Sequence, residues 1–146
     1  MNWTFITILS ALCPPILLLA QESELDKLVT RQAALGQIIP QEMVFVHMDN
    51  TCYFLGDTIF YKAYVQKSDT GKPTNLSEVL YVELLNQDGY LVERQVLRLK
   101  GGQANSSFCL ADTLYAGFYE LRAYTRWQLN FGRRSIRTTV ICTGGS

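Results

Sequence analysis

The stretch VLYVELLNQDGYLVERQVLRL, Val79–Leu99, decides the class of fold. From Val79 to Leu85 apolar residues alternate, and Leu80, Val82 and Leu84 fall on one face, the period of two that a half-buried strand shows. Asn86-Gln87-Asp88-Gly89 follows, and Asp-Gly tolerates the positive φ that a tight turn needs. Tyr90 to Leu99 then returns as a second strand, so the stretch predicts a β-hairpin.

The same period extends outward in both directions. On the N-terminal side, Met43, Phe45 and His47 alternate with Val44, Val46 and Met48. Asp49 to Asp57 holds a turn with Gly56, and Thr58 to Val65 places Ile59, Tyr61, Ala63 and Val65 on one face. A polar loop with Gly71 and Pro73 as breakers spans residues 66–77. On the C-terminal side, Gly101-Gly102 turns the chain, Ala104 to Leu110 and Gly117 to Thr125 read as strands, and Arg134 to Cys142 is a candidate last one. Strands separated by turns at roughly 8–12-residue intervals are the signature of a sandwich. No helix-length pattern interrupts them, which argues against parallel βαβ units. The expected fold is all-β, a seven-stranded antiparallel sandwich with a short N-terminal helix. Tyr119, just after Gly117-Phe118, stands where sandwiches often tie a tyrosine hydroxyl back to an upstream loop. A plain core tyrosine is the other reading.

The chain has 146 residues, with 13 Lys and Arg against 13 Asp and Glu, so no net field favours nucleic acid or an anionic membrane. Aromatic residues make up 12%, a composition that suits strands. Residues 1–20 read as a signal peptide: Phe5 to Leu12 and Ile16 to Ala20 are apolar, broken by Pro14-Pro15, and too short for a comfortable span. Cleavage is expected near Ala20 rather than lipidation at Cys13, with an uncleaved anchor or a start-site artefact as the alternative. Residues 21–40 read as a helical lead-in. Ser23 and Asp26 would form a capping box, Leu25, Leu28, Val29 and Gln32 would share a face, and Gly36 would supply a left-handed stop before Pro40. Of the four cysteines, Cys13 would leave with the signal. Cys52 with Cys109 is the first disulfide to test among the remaining three, against thiols that stay buried or free, and no spacing suggests a metal site.

Chemistry-bearing residues are sparse. His47 with Asp49 and Asp57 is the one cluster that could act as a general base, but no nucleophile stands beside it and no catalytic motif occurs. A strand-face histidine and a turn aspartate are the preferred readings, with Asp57 tying the turn at Gly56 through its own side chain. Aromatic side chains carry the alternative. Phe60 and Tyr64 lie opposite the Ile59 face, and Trp127 and Phe131 could form a contact patch near Arg126. Phe60, Tyr64, Trp127 and Phe131 are therefore the candidate interaction surface for a neighbouring domain, and a sugar-binding face lined by Tyr53, Phe54, Phe60, Tyr61, Tyr64 and Tyr81 is the other reading. Asn75-Leu76-Ser77 and Asn105-Ser106-Ser107 fit glycosylation acceptors, which matter only in a eukaryotic secretory pathway.

The run from Glu42 to Asp49, then Tyr53, Gly56-Asp57-Thr58-Ile59-Phe60-Tyr61-Lys62-Ala63-Tyr64, Leu80 to Leu84, Asp88-Gly89 and Ala116 to Thr125 resembles a macroglobulin-type domain. It is similar to the second such domain of the alpha-2-macroglobulin family, in particular of Gram-negative cell-envelope proteins, over roughly residues 42–132. The resemblance implies an immunoglobulin-like sandwich of seven strands that serves as one bead of a multidomain string. Relatives that trap peptidases depend on a Cys-Gly-Glu-Gln thioester segment and a bait region, and this sequence carries neither.

The expectation is a sandwich over residues 41–132 and an atypical tail over 133–146, in a chain that reads as the truncated head of a longer one. Its function would be noncatalytic: a structural or protein-interaction domain needing no cofactor, with other domains or envelope proteins as partners. The location would be the periplasm, outer membrane or cell surface. A carbohydrate- or peptide-binding module, or a domain related to peptidase inhibitors by family resemblance, is the alternative.

Overall fold

The computed structural model describes residues 15–132 and 135–144, the side chains of residues 15–23 and of Gln37 excepted. The chain divides into two compact units at Ile39/Pro40. The first contains helix α1, Pro15–Ile38. The first fourteen residues of the predicted signal lie outside the described residues. The helix already includes Pro15, the first described residue, well before Ser23, so Ser23 is not its N-cap. Ala20 lies within this continuous helix. Nor does Gly36 stop it: the positive-φ glycines do not include Gly36, and the helix runs on to Ile38. One glycine costs a helix only about 1 kcal/mol. Pro40, with no N–H to donate, ends it after the Ile39 N–H has bonded Leu35 O at 2.8 Å. Leu25, Leu28, Val29 and Leu35 are all exposed. Among the described residues no helix is long and apolar enough to cross a membrane.

The second unit is a two-sheet sandwich. Its strands are β1 (Glu42–Met48), β2 (Cys52–Phe54), β3 (Thr58–Lys67), β4 (Val79–Asn86), β5 (Leu91–Arg98), β6 (Gln103–Cys109), β7 (Gly117–Tyr124) and β8 (Arg137–Gly144). One sheet has the order β1-β3-β6, the other β2-β8-β7-β4-β5. Eight strands replace the expected seven. The addition is β2, three residues inside what reads as a turn, too short to show a period by itself. It forms by pairing in parallel with β8, among the described residues the one departure from antiparallel order. β8 lies between β2 and β7, so the residues read as a tail include an interior strand of the larger sheet.

The hairpin that decides the fold is present. Asn86 O accepts from Gly89 N at 2.9 Å, Asn86 Oδ1 accepts from Tyr90 N at 2.8 Å, and Gly89 adopts φ 80°. Leu80, Val82 and Leu84 of β4 face Val44, Ile59, Ala63, Val65 and Phe108 across the core, and Leu121, Ala123 and Ile141 complete it. Each fully buried Val, Leu, Ile or Phe among them contributes roughly 1.5–3 kcal/mol. Tyr61 stacks on Phe108 within this core, and its hydroxyl donates to Gln95 Oε1 at 2.7 Å, joining the two sheets. Tyr119 is buried and its hydroxyl donates to Tyr115 O at 2.7 Å, the tie to an upstream loop.

Candidate interaction surface and polar clusters

The solvent side of the three-stranded sheet follows from register. In antiparallel pairs, residues directly opposite share a face. Phe45, Tyr64 and Gln103 form one cross-strand row, and His47, Lys62 and Asn105 form the next. Phe60 with Ser107 makes a third. A polar row is thus bracketed by aromatic ones. Phe60 is 59% exposed and Phe45 40%. Lys62 Nζ lies 5.2 Å from the Tyr64 ring centroid, and the Arg137 guanidinium lies 5.4 Å from that of Phe45. Around Phe60, an open depression of about 340 Å³ is lined by His47, Met48, Asp49, Lys62 and Asn105.

Trp127 and Phe131 stand elsewhere. They occupy a short 3-10 helix, η1 (Trp127–Phe131), and pack edge to face at 5.9 Å. Trp127 Nε1 donates to Pro40 O at 2.7 Å, just beyond the Glu42–Lys67 end of the sheet. Phe60 sits toward the opposite end, seven residues along β3 from Lys67, or roughly 20 Å at the usual rise per residue. Phe60 and Tyr64 therefore share a face, while Trp127 and Phe131 form a separate patch.

The carboxylates near His47 hold turns. Asp49 Oδ1 accepts from the Tyr53 hydroxyl at 2.6 Å and from Phe60 N at 3.1 Å. The Tyr53 bond holds the Asp49 carboxyl below its usual pKa. Burial and then Asp49 push the Tyr53 hydroxyl up to about 12. Asp57 Oδ2 accepts from Phe54 N at 2.7 Å, tying the turn that contains Gly56. Neither carboxylate is hydrogen-bonded to His47. Among the described residues no group of three or more His, Cys, Asp or Glu is placed to hold a metal ion.

The disulfide is Cys52–Cys142, a correction to the expected Cys52–Cys109 pair. The parallel β2–β8 ladder sets Cys52 directly opposite Cys142, with Cα atoms 4.7 Å apart. Cys109 lies on β6 in the other sheet, opposite Thr58, and is an exposed free thiol.

Two polar clusters escaped sequence reasoning. Glu42 is 3% exposed, and its carboxylate accepts from Ser77 N (3.1 Å), Ser77 Oγ (2.6 Å) and Thr125 Oγ1 (2.7 Å). Thr125 N donates to Gln128 Oε1 at 2.9 Å and Gln128 N to Thr125 Oγ1 at 3.3 Å, a reciprocal capping box at η1. Gln128 Nε2 continues to Ser135 O. The Thr-x-x-Gln spacing was the available signal. On the solvent side of the five-stranded sheet, the nearly buried Glu83 accepts at Oε1 from Arg94 Nε (2.9 Å) and the Tyr124 hydroxyl (2.8 Å). Burial, then Glu83, raises the Tyr124 pKa. Tyr81 stacks on Tyr124 at 5.5 Å, while Arg122 Nη1 stays 3.8 Å from Glu83 Oε2. A glutamate on an outward strand face gives no sequence sign that its neighbours will bury it.

The architecture is that of an antiparallel two-sheet β-sandwich with an added parallel edge strand. Among solved structures it matches bacterial alpha-2-macroglobulins. These include the Salmonella protein reacted with methylamine (TM-score 0.58, 20% identity, covering 70% of this chain and 6% of that one). Trypsin-activated alpha-2-macroglobulin from Escherichia coli gives TM-score 0.58 at 18% identity, over 70% of this chain and 6% of that one. The elastase-activated form gives 0.59 at 17%, over 70% and 8%. The fold is thus a macroglobulin-type sandwich, and the chain spans only 6–8% of the length of these proteins. No protein-family profile matches the sequence, and no curated protein is similar to it.

Proposed function

We propose that this chain is a noncatalytic macroglobulin-like domain of an exported cell-envelope protein, acting in protein–protein contact or as a spacer within a longer chain. What supports this is the exposed aromatic face of the three-stranded sheet. A sandwich requires apolar residues only on its inner faces. Phe45 and Phe60 lie on the outer one, where a neighbouring domain would cover them. The partners would be other domains or envelope proteins. The apolar Ile16–Ala20 run supports export to the periplasm, outer membrane or cell surface.

The test combines a hydrophobic dye with sedimentation. The wild-type chain should bind the dye, and Phe45→Ser with Phe60→Ser should lower that signal without unfolding, the remainder coming from other exposed apolar side chains such as those of the helix. A strictly monomeric protein that binds no dye sinks the proposal. For the export claim, the chain should fractionate with the envelope rather than the cytosol. The downstream genomic sequence, read in three frames, should continue the macroglobulin pattern.

A second reading, a glycan- or peptide-binding module, is favoured by the depression beside Phe60, where a ring face adjoins the polar row of His47, Lys62 and Asn105. Binding on a glycan array that Phe60→Ser abolishes would select it.

A further inference from the structure

The Arg94–Glu83–Arg122 row on the opposite face of the sandwich goes beyond that proposal. Glu83 pairs in register with Arg94 of β5 and Arg122 of β7, so one carboxylate stands between two guanidinium groups. Arg94 binds it closely, with Nη2 at 2.7 Å from Oε1. Arg122 is held only at 3.8 Å, beyond hydrogen-bond reach, although its side chain is only 36% exposed. Among the described residues no hydrogen bond is donated by its guanidinium, whose five N–H groups are shaped to grip a carboxylate with two parallel bonds. The row thus carries one positive charge in excess and a set of unused donors.

The surroundings are already ordered. Tyr124 is fixed by its bond to Glu83 and stacked on Tyr81, so little side-chain freedom remains to be lost on binding. Arginine and tyrosine are the residues over-represented where protein interfaces concentrate their energy. Val96, 59% exposed, pairs with Tyr81 and adds an apolar edge. We propose that this face docks an acidic polypeptide segment of a partner protein, one carboxylate of which forks onto Arg122 beside Tyr124.

Titrating the isotopically labelled full chain with a hexaglutamate peptide tests this by NMR. Shifts should appear at the Arg122 side chain and at Tyr124, and hexalysine should produce none. Arg122→Gln should weaken binding at least tenfold. Glu83→Gln, which removes the competing carboxylate, should strengthen it, and a purely structural role for the row would not give that opposite sign. Phe60→Ser should leave binding unchanged, which separates this surface from the aromatic face of the other sheet. No shifts, equal shifts with hexalysine, or binding indifferent to Arg122→Gln would overturn the proposal. So would a dimer in sedimentation that Arg122→Gln converts to monomer, since a second copy would then cover this face.

Discussion

Glu42 and Thr125, 83 residues apart in the chain, meet in the interior through a hydrogen bond of 2.7 Å from Thr125 Oγ1 to Glu42 Oε2. Thr125 is fully buried and Glu42 nearly so. With both Ser77 donors added, the carboxylate fastens the first residue of β1 to the loop before β4 and to the end of β7. Hydrogen bonds to a charged group contribute about 1.5–3 kcal/mol each, and orphaned buried donors add to the loss. Glu42→Ala should therefore destabilise the sandwich by about 3 kcal/mol in urea unfolding at pH 7. Glu42→Gln keeps the shape and one acceptor oxygen and should lose less. Equal stability of Glu42→Ala and wild type would show that the cluster contributes nothing.

The Cys52–Cys142 bridge closes a sequence separation of 90 residues between an edge strand and its neighbour. Disulfides typically stabilise by roughly 2–4 kcal/mol, and restriction of the unfolded chain over so long a loop would put this one near the top of that range or above it. Cys52→Ser, Cys142→Ser and the double variant should all lose the same amount, because each removes the same bond. Cys109→Ser should be neutral. A loss in the double variant close to the sum of the singles would contradict the pairing.

Asp49 and Tyr53 make stability depend on pH at both ends. The Asp49 pKa is depressed in the folded state, so its contribution is present above its ordinary value of 3.8 and is lost as pH falls through the lower folded value. The stability advantage of wild type over Asp49→Asn should hold from pH 7 to about 5 and vanish progressively below 3.8. At the alkaline end Tyr53 and Tyr61 are each raised from 10.0 to about 12, chiefly by burial. Their contribution is complete below pH 10 and disappears as pH rises through the folded value. Absorbance titration at a tyrosinate wavelength should show these two ionising late, and Tyr53→Phe should remove one late step.

Gly102 and Gly101 share a turn but differ in consequence. Both have positive φ, 72° and 59°. A Cβ on Gly102 would stand 2.7 Å from Val65 O and 3.1 Å from Thr74 O, both backbone atoms that cannot yield cheaply. A Cβ on Gly101 meets nothing within 4 Å. Gly101→Ala should cost about 1–2 kcal/mol for the left-handed conformation alone. Gly102→Ala should cost clearly more, as read from thermal or urea midpoints. Equal costs would show that the chain relaxes around Gly102.

Alternation along β1, β3 and β4 made most of the core legible, because a strand with one buried face must repeat every two residues. The Asp88-Gly89 turn was legible from local turn chemistry, whereas the Tyr119 tie was one of two open readings that the structure decided. β2 was not: three residues carry no period, and their pairing depends on a strand some ninety residues away. The helix limits were misread because local signals at Ser23 and Gly36 are weak against a continuous helical stretch. Of the candidate surface, Phe60 and Tyr64 on one strand could be grouped from spacing. Trp127 could not be placed relative to them.

By itself the sequence determined the β class, the hairpin at residues 86–89 and the apolar faces of the strands at residues 58–65 and 79–85, since those depend on side-chain alternation and turn chemistry within a few residues. Only the tertiary structure decided which strands become neighbours. That choice put Cys142 rather than Cys109 beside Cys52, brought Thr125 to Glu42, and set Glu83 between Arg94 and Arg122. Register between distant strands is fixed by how two sheets fill a common core, a property of the folded chain as a whole.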